Sequence, residues 1–320
     1  MSKNAHYCLV ILFAFMLIFY GIASVEASPV VTNHYANKGC TDITRTLLYT
    51  DPPMTGEDIL ELQQRLVELK YNSPQNGIYD KRTAEIIRKF KTANNLSPTT
   101  EVGPLTWAQL GKDASTSPSS TNQSLGKPEH PVQMLIEVTK QRLTVFSKGK
   151  PFHSFPIAVG KQETPTPHGE FKIVSKGAWG GGFGTRWNGL NVPWGIFGIH
   201  GTNKPWSIGR YASHGCIRML NRDVETLFPW VAIGTPVKIV NSNLKPPNKI
   251  SRTFKPKSSG QLIVFVQEAL KKQRFLAGLA DGIYGTSTTI AVSYFQAFNN
   301  LPITGEVDPK TYDLIMAKGQ

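Results

Sequence analysis

A thiol and two imidazoles lie close together in this chain, between positions 200 and 216. They are Cys216, His214 two positions before it, and His200 further upstream. A thiol at its ordinary pKa is only slightly ionised near neutral pH, so it needs a nearby base or positive charge to act as a nucleophile. Either imidazole could serve as that base, and Gly215 lets a substrate approach the backbone closely. The pattern favours a cysteine nucleophile in acyl transfer, with amides around Gly215 and Cys216 as a predicted oxyanion hole.

Other uses of these side chains fit the sequence less well. A zinc site needs a fourth ligand, and no Cys-x-x-Cys or His-x-x-x-His spacing accompanies the three residues. A disulfide between Cys40 and Cys216 would be ordinary in an oxidising compartment, but the residues around Cys216 are more specialised than a bridge requires. Papain-type enzymes place the cysteine before the histidine, the reverse of the order here. Sortase-like transpeptidases share this order, but their arginine follows the cysteine at a longer interval than Arg218 does.

The N-terminus predicts export. Lys3, an apolar run over residues 8–23 and small residues around Ala27 are typical of a secretory signal that ends at residue 27. An uncleaved membrane anchor is the alternative, because the run is long for a signal and short for a spanning helix. Removal of residues 1–27 takes away Lys3 and Glu26, so the formal net charge stays at +13. A basic exported protein is expected to associate with anionic wall polymers, although high charge also favours solubility. Nucleic acid is not an expected partner.

An internal repeat lies on both sides of the segment that carries Cys216. Residues 76–79 (NGIY) recur as residues 281–284 (DGIY), and the two copies then align at a constant offset as far as Trp107 and Tyr312. Apolar residues at helical spacing predict three short helices in each copy. A bundle of about 60 residues buries only a modest core, which suits a binding module better than an enzyme.

The central segment has a different pattern. Short apolar runs separated by turn residues predict strands, with one helix from Asn221 to Phe228. We therefore expect a multidomain α+β chain, in which a β-rich domain lies between two small three-helix modules. The expected divisions are a signal (1–27), a module (51–111), a Ser/Thr-rich linker (112–130), the central domain (131–241), a basic linker (242–259) and a second module (260–320).

The two modules resemble the peptidoglycan-binding type 1 family. The first copy has residues 62–66 (LQQRL), and the second has residues 281–285 (DGIYG) and 295–296 (FQ). Asp80 in the first copy departs from the glycine of the family pattern. The resemblance implies peptidoglycan as a partner through wall-glycan anchoring. Most of the matched residues are turn and core positions, so they identify the fold and not the glycan contacts.

The central domain resembles the L,D-transpeptidase catalytic domain, the YkuD family, over roughly residues 132–240. The resemblance rests on residues 200–202 (HGT), 213–218 (SHGCIR) and 164–171 (TPTPHGEF). It implies that a thiolate attacks a peptidoglycan stem tetrapeptide and expels the terminal D-Ala. An amine of a neighbouring stem would then form a 3-3 cross-link, whereas water would make the enzyme an L,D-carboxypeptidase. The resemblance implies no metal and no organic cofactor.

The resemblance also implies a role for each motif residue. Cys216 would be the nucleophile, His200 its general base, and the Gly201 carbonyl would orient the imidazole. The expected oxyanion and site-shaping residues are Ser213, His214 and Gly215, and the expected substrate-binding residues are Arg186, Trp194 and Arg218. A wall-anchored scaffold protein with little activity is the alternative from another functional class, and the intact Cys216 and His200 argue against it. The expected location is outside the cell, on the wall.

Overall fold

The computed structural model describes residues 45–115 and 126–319. The predicted signal, Cys40 and the middle of the Ser/Thr-rich linker lie outside these residues. The described part contains no helix that is long and apolar enough to cross a membrane. Its helices are α1 (Glu57–Glu68), α2 (Lys81–Ala93), α3 (Pro104–Leu110), α4 (Lys112–Ser115), α5 (Asn221–Leu227), α6 (Gln261–Lys272), α7 (Thr286–Phe298) and α8 (Pro309–Lys318).

The central domain is built on a mixed sheet. Its strands are β1 (Val132–Glu137), β2 (Arg142–Ser147), β3 (Lys150–Pro156), β4 (Val159–Gly160), β5 (Gly169–Gly177), β6 (Trp187–Leu190), β7 (Phe197–His200), β8 (Tyr211–Ser213), β9 (Ile217–Arg218) and β10 (Pro236–Val240). In the described residues the main sheet has the order β3-β2-β1-β10-β5-β6-β7-β9, and β4 pairs with β8 beside it. Pairing is parallel for β1 with β10 and for β7 with β9. The expected multidomain α+β architecture is confirmed.

Alternating burial explains why the central segment folds as strands. In β1, Val132, Met134 and Ile136 are buried while Gln133 is exposed, the period of two that a half-buried strand requires. One apolar core joins these side chains to residues from the other end of the domain, including Ile199 and Ile217. The strands that end at the candidate site are therefore fixed by the same core as the distant hairpin.

Each module is a small helical bundle with an extended segment in front of it. Helices α1 to α3 enclose one core and α6 to α8 enclose the other. Leu47 pairs with Val102 by two backbone hydrogen bonds, and Phe254 pairs with Val307 in the same way. Residues of the predicted basic linker thus belong to the second core, in which Phe254 is buried. The sequence pattern missed these segments because a single extended stretch has no helical period.

A buried glutamine organises the central turn of each module. In the first, Gln63 accepts hydrogen bonds from the amides of Asn76 and Gly77, and donates to the Ile78 carbonyl and the Thr83 hydroxyl. Gln267 makes matching bonds in the second module, at Gly282, Ile283 and Thr288. The buried glutamine side chain therefore pairs with turn groups that helix and sheet bonds do not reach.

The residue after that turn in the first module departs from the glycine of the family pattern. Asp80 stands where the second module has Gly285, and its carboxylate accepts a 2.8 Å hydrogen bond from the Thr83 amide as the N-cap of α2. Gly285 makes no such bond at the start of α7. The first module thus has a capping aspartate at the position where the second module has a conformationally freer glycine.

Replacement of Gln63 by leucine should destabilise the first module by about 2 kcal/mol, because it removes the hydrogen bonds of a buried amide to the turn and to the buried Thr83 hydroxyl. Hydrogen exchange of the α1 and α2 amides in the full chain would measure the loss. Gln64, the exposed neighbour on the same helix, is the control, and Gln64→Leu should change protection little. Equal protection in Gln63→Leu and the parent would contradict the structural role.

Candidate active site

Two neighbouring strands bring His200 and the Cys216 segment together. His200 is the last residue of β7, and β9 begins immediately after Cys216. Parallel pairing places Ile199 opposite Ile217 and His200 opposite Arg218, and the Met219 amide donates to the His200 carbonyl. Both His200 and Cys216 are fully buried. The parallel pairing therefore places His200 at the end of β7 and Cys216 just before the start of the neighbouring strand β9.

The His200 ring is oriented by its own backbone neighbour. Its Nδ1 lies 2.5 Å from the carbonyl oxygen of Gly201. A carbonyl can only accept, so Nδ1 carries the proton in this bond, and a neutral ring then has its lone pair on Nε2. The Gly201 amide in turn donates to the Arg186 carbonyl at 3.1 Å, which holds the backbone of the residue whose carbonyl makes the bond. This arrangement presets the tautomer that a general base needs.

Aromatic rings enclose the same imidazole. Trp187 stacks on His200 with centroids 5.6 Å apart, and Phe183 packs against it edge-on at 5.1 Å. Trp179 stacks on Trp187 at 4.3 Å. Sequence reasoning left Trp179 and Trp187 equally consistent with a substrate groove and with packing. The geometry assigns Trp187 to packing that limits the rotation of the His200 ring.

A tight turn presents Cys216. The Ser213 hydroxyl donates to the Cys216 carbonyl at 2.6 Å and accepts from the Gly215 amide at 3.1 Å. Gly215 has φ +109°, and a Cβ there would lie 2.8 Å from the Phe197 ring, so glycine is required on both counts. The Gly215 amide already donates to the Ser213 hydroxyl. To take part in an oxyanion hole, it would have to leave that hydroxyl and donate to a substrate oxygen instead. His214, within the turn, is partly exposed.

Asn221, the first residue of α5, is a positioning group that sequence reasoning missed. Its Oδ1 accepts from the amides of Thr185 at 3.2 Å and Thr202 at 3.1 Å. A Cβ on Gly201 would lie 2.2 Å from this oxygen, so the side chain packs directly on the residue that orients His200. The sequence signal was weak, because an asparagine at the start of a helix is usually a cap.

The predicted substrate-binding residues do not share one surface. Arg218 is buried, with its guanidinium 4.0 Å from Glu61 of the first module. Arg186 donates to the Thr185 carbonyl and lies over the Phe228 ring at 5.5 Å. Trp194 packs edge-on against Phe171 at 6.0 Å and lies against Gly282 of the second module. Only Arg218 is next to the Cys216 turn in sequence and in strand pairing.

The electrostatic environment of the turn includes a carboxylate from the first module. Lys161 donates from its backbone to the Ser213 carbonyl, and its ammonium lies 2.8 Å from Glu57. The pKa of the Glu57 carboxyl is lowered, first by this hydrogen bond and against the opposing effect of partial burial, with a further through-space contribution from His214. Charged groups of both domains therefore meet beside His214.

Known proteins are similar to this chain in its central domain and in both modules. A family model described as "L,D-transpeptidase catalytic domain" matches residues 131–239, and one described as "Putative peptidoglycan binding domain" matches residues 55–110 and 259–315. The chain is 34% identical over 137 residues to the "Putative L,D-transpeptidase YqjB" of Bacillus subtilis, an alignment that covers 37% of this chain and 78% of that protein. The chain belongs to the L,D-transpeptidase family.

Other members show the same likeness over shorter spans. The "Putative L,D-transpeptidase YkuD" of Bacillus licheniformis is 44% identical over 110 residues, with 34% of this chain and 66% of that protein covered. Among solved structures, an L,D-transpeptidase from Mycobacterium smegmatis is 23% identical, covers 34% of this chain and 58% of that chain, and has a TM-score of 0.30.

In this L,D-transpeptidase, replacement of Asn221 by alanine should lower the rate of Cys216 acylation by about 100-fold, because small displacements of a catalytic group have effects of that size. The loss of stability should be smaller, about 2 kcal/mol, for the two amides released. Asn221→Asp keeps the accepting oxygen and should restore most of the rate. If the alanine and aspartate variants are acylated equally slowly, or if neither is slower than the parent, Asn221 does not position His200.

Proposed function

We propose that the protein is a cysteine L,D-transpeptidase that forms 3-3 cross-links between peptidoglycan stems. The observation that carries the proposal is the 2.5 Å contact between His200 Nδ1 and the Gly201 carbonyl on the strand beside Cys216. It sets the tautomer in which Nε2 can accept the thiol proton. Family membership supports the reaction class, and the flanking modules support peptidoglycan as the substrate.

In the first step, His200 Nε2 takes the proton of the Cys216 thiol. The thiolate attacks the carbonyl that precedes the terminal D-Ala of a donor tetrapeptide, and backbone amides of the Cys216 turn stabilise the oxyanion. The tetrahedral intermediate collapses with cleavage of the amide bond, and His200 returns the proton to the amine of the departing D-Ala. The product is a thioester between Cys216 and the donor tripeptide.

In the second step, the side-chain amine of a neighbouring stem attacks the thioester. His200 accepts a proton from that amine, the thiolate leaves, and the new amide bond is the cross-link. Water in place of the amine would release a tripeptide, which is the L,D-carboxypeptidase alternative.

The cysteine assignment is tested with a carbapenem, whose strained β-lactam carbonyl should acylate Cys216. Intact mass spectrometry should show one adduct on the parent protein and none on Cys216→Ala. A parent protein without an adduct, or an equal adduct on the alanine variant, would refute the nucleophile and would favour a wall-binding scaffold.

Product analysis separates the two enzymatic alternatives. The protein is incubated with disaccharide-tetrapeptides, and the products are resolved by chromatography and mass spectrometry. Cross-linked dimers accompanied by released D-Ala support the transpeptidase, whereas tripeptide alone supports the carboxypeptidase.

We further propose that the protein is exported and retained on the wall by its two modules, with its basic charge adding attraction to anionic polymers. Deletion of residues 260–320 should weaken sedimentation with purified sacculi, and removal of both modules should abolish it. Sacculi stripped of anionic polymers should retain less protein than untreated ones if charge contributes. Unchanged retention without either module would contradict anchoring.

A further inference from the structure

One face of α1 in the first module covers basic residues of the catalytic domain. Glu57 lies 2.8 Å from the Lys161 ammonium, and Glu61 pairs with Lys204. Arg218 lies 4.0 Å from the same Glu61 carboxylate. Each of these three cations comes from the catalytic domain, and each meets a carboxylate of the module. We call Lys161, Lys204 and Arg218 the basic set.

Each residue of the basic set lies on a segment that is linked to the candidate active site. Lys161 follows β4 and is hydrogen-bonded through its backbone to Ser213, at the start of the Cys216 turn. Lys204 lies in the loop after His200, where its amide donates to the Thr202 hydroxyl at 3.0 Å. Arg218 is paired with His200 across β9 and β7. Each cation that meets a carboxylate of α1 therefore lies on a segment joined to the Cys216 turn or to the His200 strand.

The second module docks with different chemistry at matching positions of its first helix. Gln261 binds both backbone groups of His168, Phe265 stacks on the His168 ring at 5.9 Å, and Glu268 lies 2.7 Å from its Nε2. Measured from the buried glutamines Gln63 and Gln267, these three positions correspond to Glu57, Glu61 and Gln64. The pair of carboxylates facing cations is thus a property of the first module and not of the repeat.

We propose that the basic set binds a carboxylate of the donor stem peptide, and that Glu57 and Glu61 occupy it while no substrate is bound. The specificity role rests on the proposed function. Stem peptides carry carboxylates next to the scissile bond, and ammonium and guanidinium groups are the side chains that bind carboxylates most strongly. The module then acts as an internal competitor that a substrate must displace.

The strengths of the contacts make displacement feasible. The Lys161 to Glu57 pair is partly exposed, and such pairs contribute little to stability. The Lys204 to Glu61 pair is more enclosed, because Lys204 is buried and Glu61 is partly buried. A substrate carboxylate can therefore replace Glu57 first and Glu61 with more difficulty. Removal of both module carboxylates should make the basic set attract small anions more strongly than neutral molecules of the same size.

The test compares two thiol reagents on the full chain. Iodoacetate and iodoacetamide alkylate Cys216 by the same displacement of iodide and differ in charge. Changes in thiol reactivity or in access affect both reagents alike and cancel in the ratio of their rates. The ratio therefore reports attraction of a carboxylate. The E57Q/E61Q variant should raise the iodoacetate to iodoacetamide ratio at least tenfold, and the gain should shrink in high salt. Adding K161Q and K204Q to this variant should return the ratio to the parent value.

Glu268→Gln is the matched control, since it alters a docking carboxylate of the other module and should leave the ratio unchanged. Thermal unfolding of each variant checks that the chain remains folded. The proposal is overturned if the ratio does not change in E57Q/E61Q, or if both reagents accelerate equally, because the module would then only block access.

A second measurement assigns the carboxylate to the stem. In a Cys216→Ala background, E57Q/E61Q should bind a soluble stem tetrapeptide about tenfold more tightly than the parent does, and the peptide with an amidated C-terminus should gain less. If the alkylation ratio rises but the stem peptide does not bind, the proposed substrate is refuted, although the basic set still attracts anions. Equal gains for acid and amide would refute the carboxylate role itself.

Discussion

Replacement of His200 by glutamine should slow acylation of Cys216 by about 1,000-fold, within the range usual for loss of a general base. Glutamine fills similar space and can still reach the Gly201 carbonyl through its amide, but it cannot accept the thiol proton. The thiolate must then form by direct loss of a proton to water. Stopped-flow measurement of carbapenem acylation against pH would show a residual rate that rises continuously with pH, because ionisation alone supplies the nucleophile.

His153→Gln is the control for that experiment. His153 packs against Phe155 at 4.5 Å and Trp230 at 6.0 Å, in the hairpin of the catalytic domain, and burial lowers the pKa of its imidazole. Its replacement should leave acylation unchanged. A His200→Gln variant that keeps the parent rate and pH profile would exclude His200 as the base and direct attention to His214.

Replacement of Trp187 by alanine should have the largest effect on stability, about 4 kcal/mol, as expected for a fully enclosed tryptophan. The ring is 2% exposed and lies between Trp179 and His200. It also covers Gly198, where a Cβ would lie 2.5 Å from the indole. Removal leaves a cavity against the His200 imidazole, so acylation should fall together with stability if His200 is the base. Urea unfolding and acylation rates of the same preparations would measure both.

Two further variants separate packing from orientation. Trp187→Phe keeps an aromatic face against His200 and should recover most of the acylation rate while remaining less stable than the parent. Trp179→Ala removes the outer, half-exposed ring and should cost about 1 kcal/mol or less. If Trp187→Phe is as slow as the alanine variant despite a recovered unfolding midpoint, aromatic stacking does not orient the imidazole.

The local features of this chain were predictable from its sequence. The helix predicted from Asn221 is α5, which begins at that residue. Asp308 before Pro309 is a cap pattern that the sequence shows, and its carboxylate accepts from the Thr311 amide at the start of α8. Gln141, in the turn before β2, adopts a left-handed conformation with φ 44°. These features depend on neighbours in sequence, where propensity and capping decide the outcome.

The remaining features depend on contacts between distant segments. The insertion of β10 between β1 and β5 is set by the shared core, which no local pattern reports. Asn221 positions the His200 loop only because α5 packs there. Trp194 packs against Phe171 and towards the second module, a contact that no local pattern reports, and substrate binding by its indole stays a prediction. The carboxylates of α1 had no predicted role, since helix periodicity indicated only a solvated face.

The different docking surfaces of the two modules make their order along the chain part of the architecture. Phe265 suits the flat ring of His168, whereas Glu61 suits the Lys204 ammonium. In a chain with the modules exchanged, a phenyl ring would face Lys204 and an unpaired carboxylate would face the aromatic site. Each interface is therefore matched to its own copy. The first helix of each module carries the residues that decide which side of the catalytic domain it contacts, so the two copies of one fold are not equivalent parts.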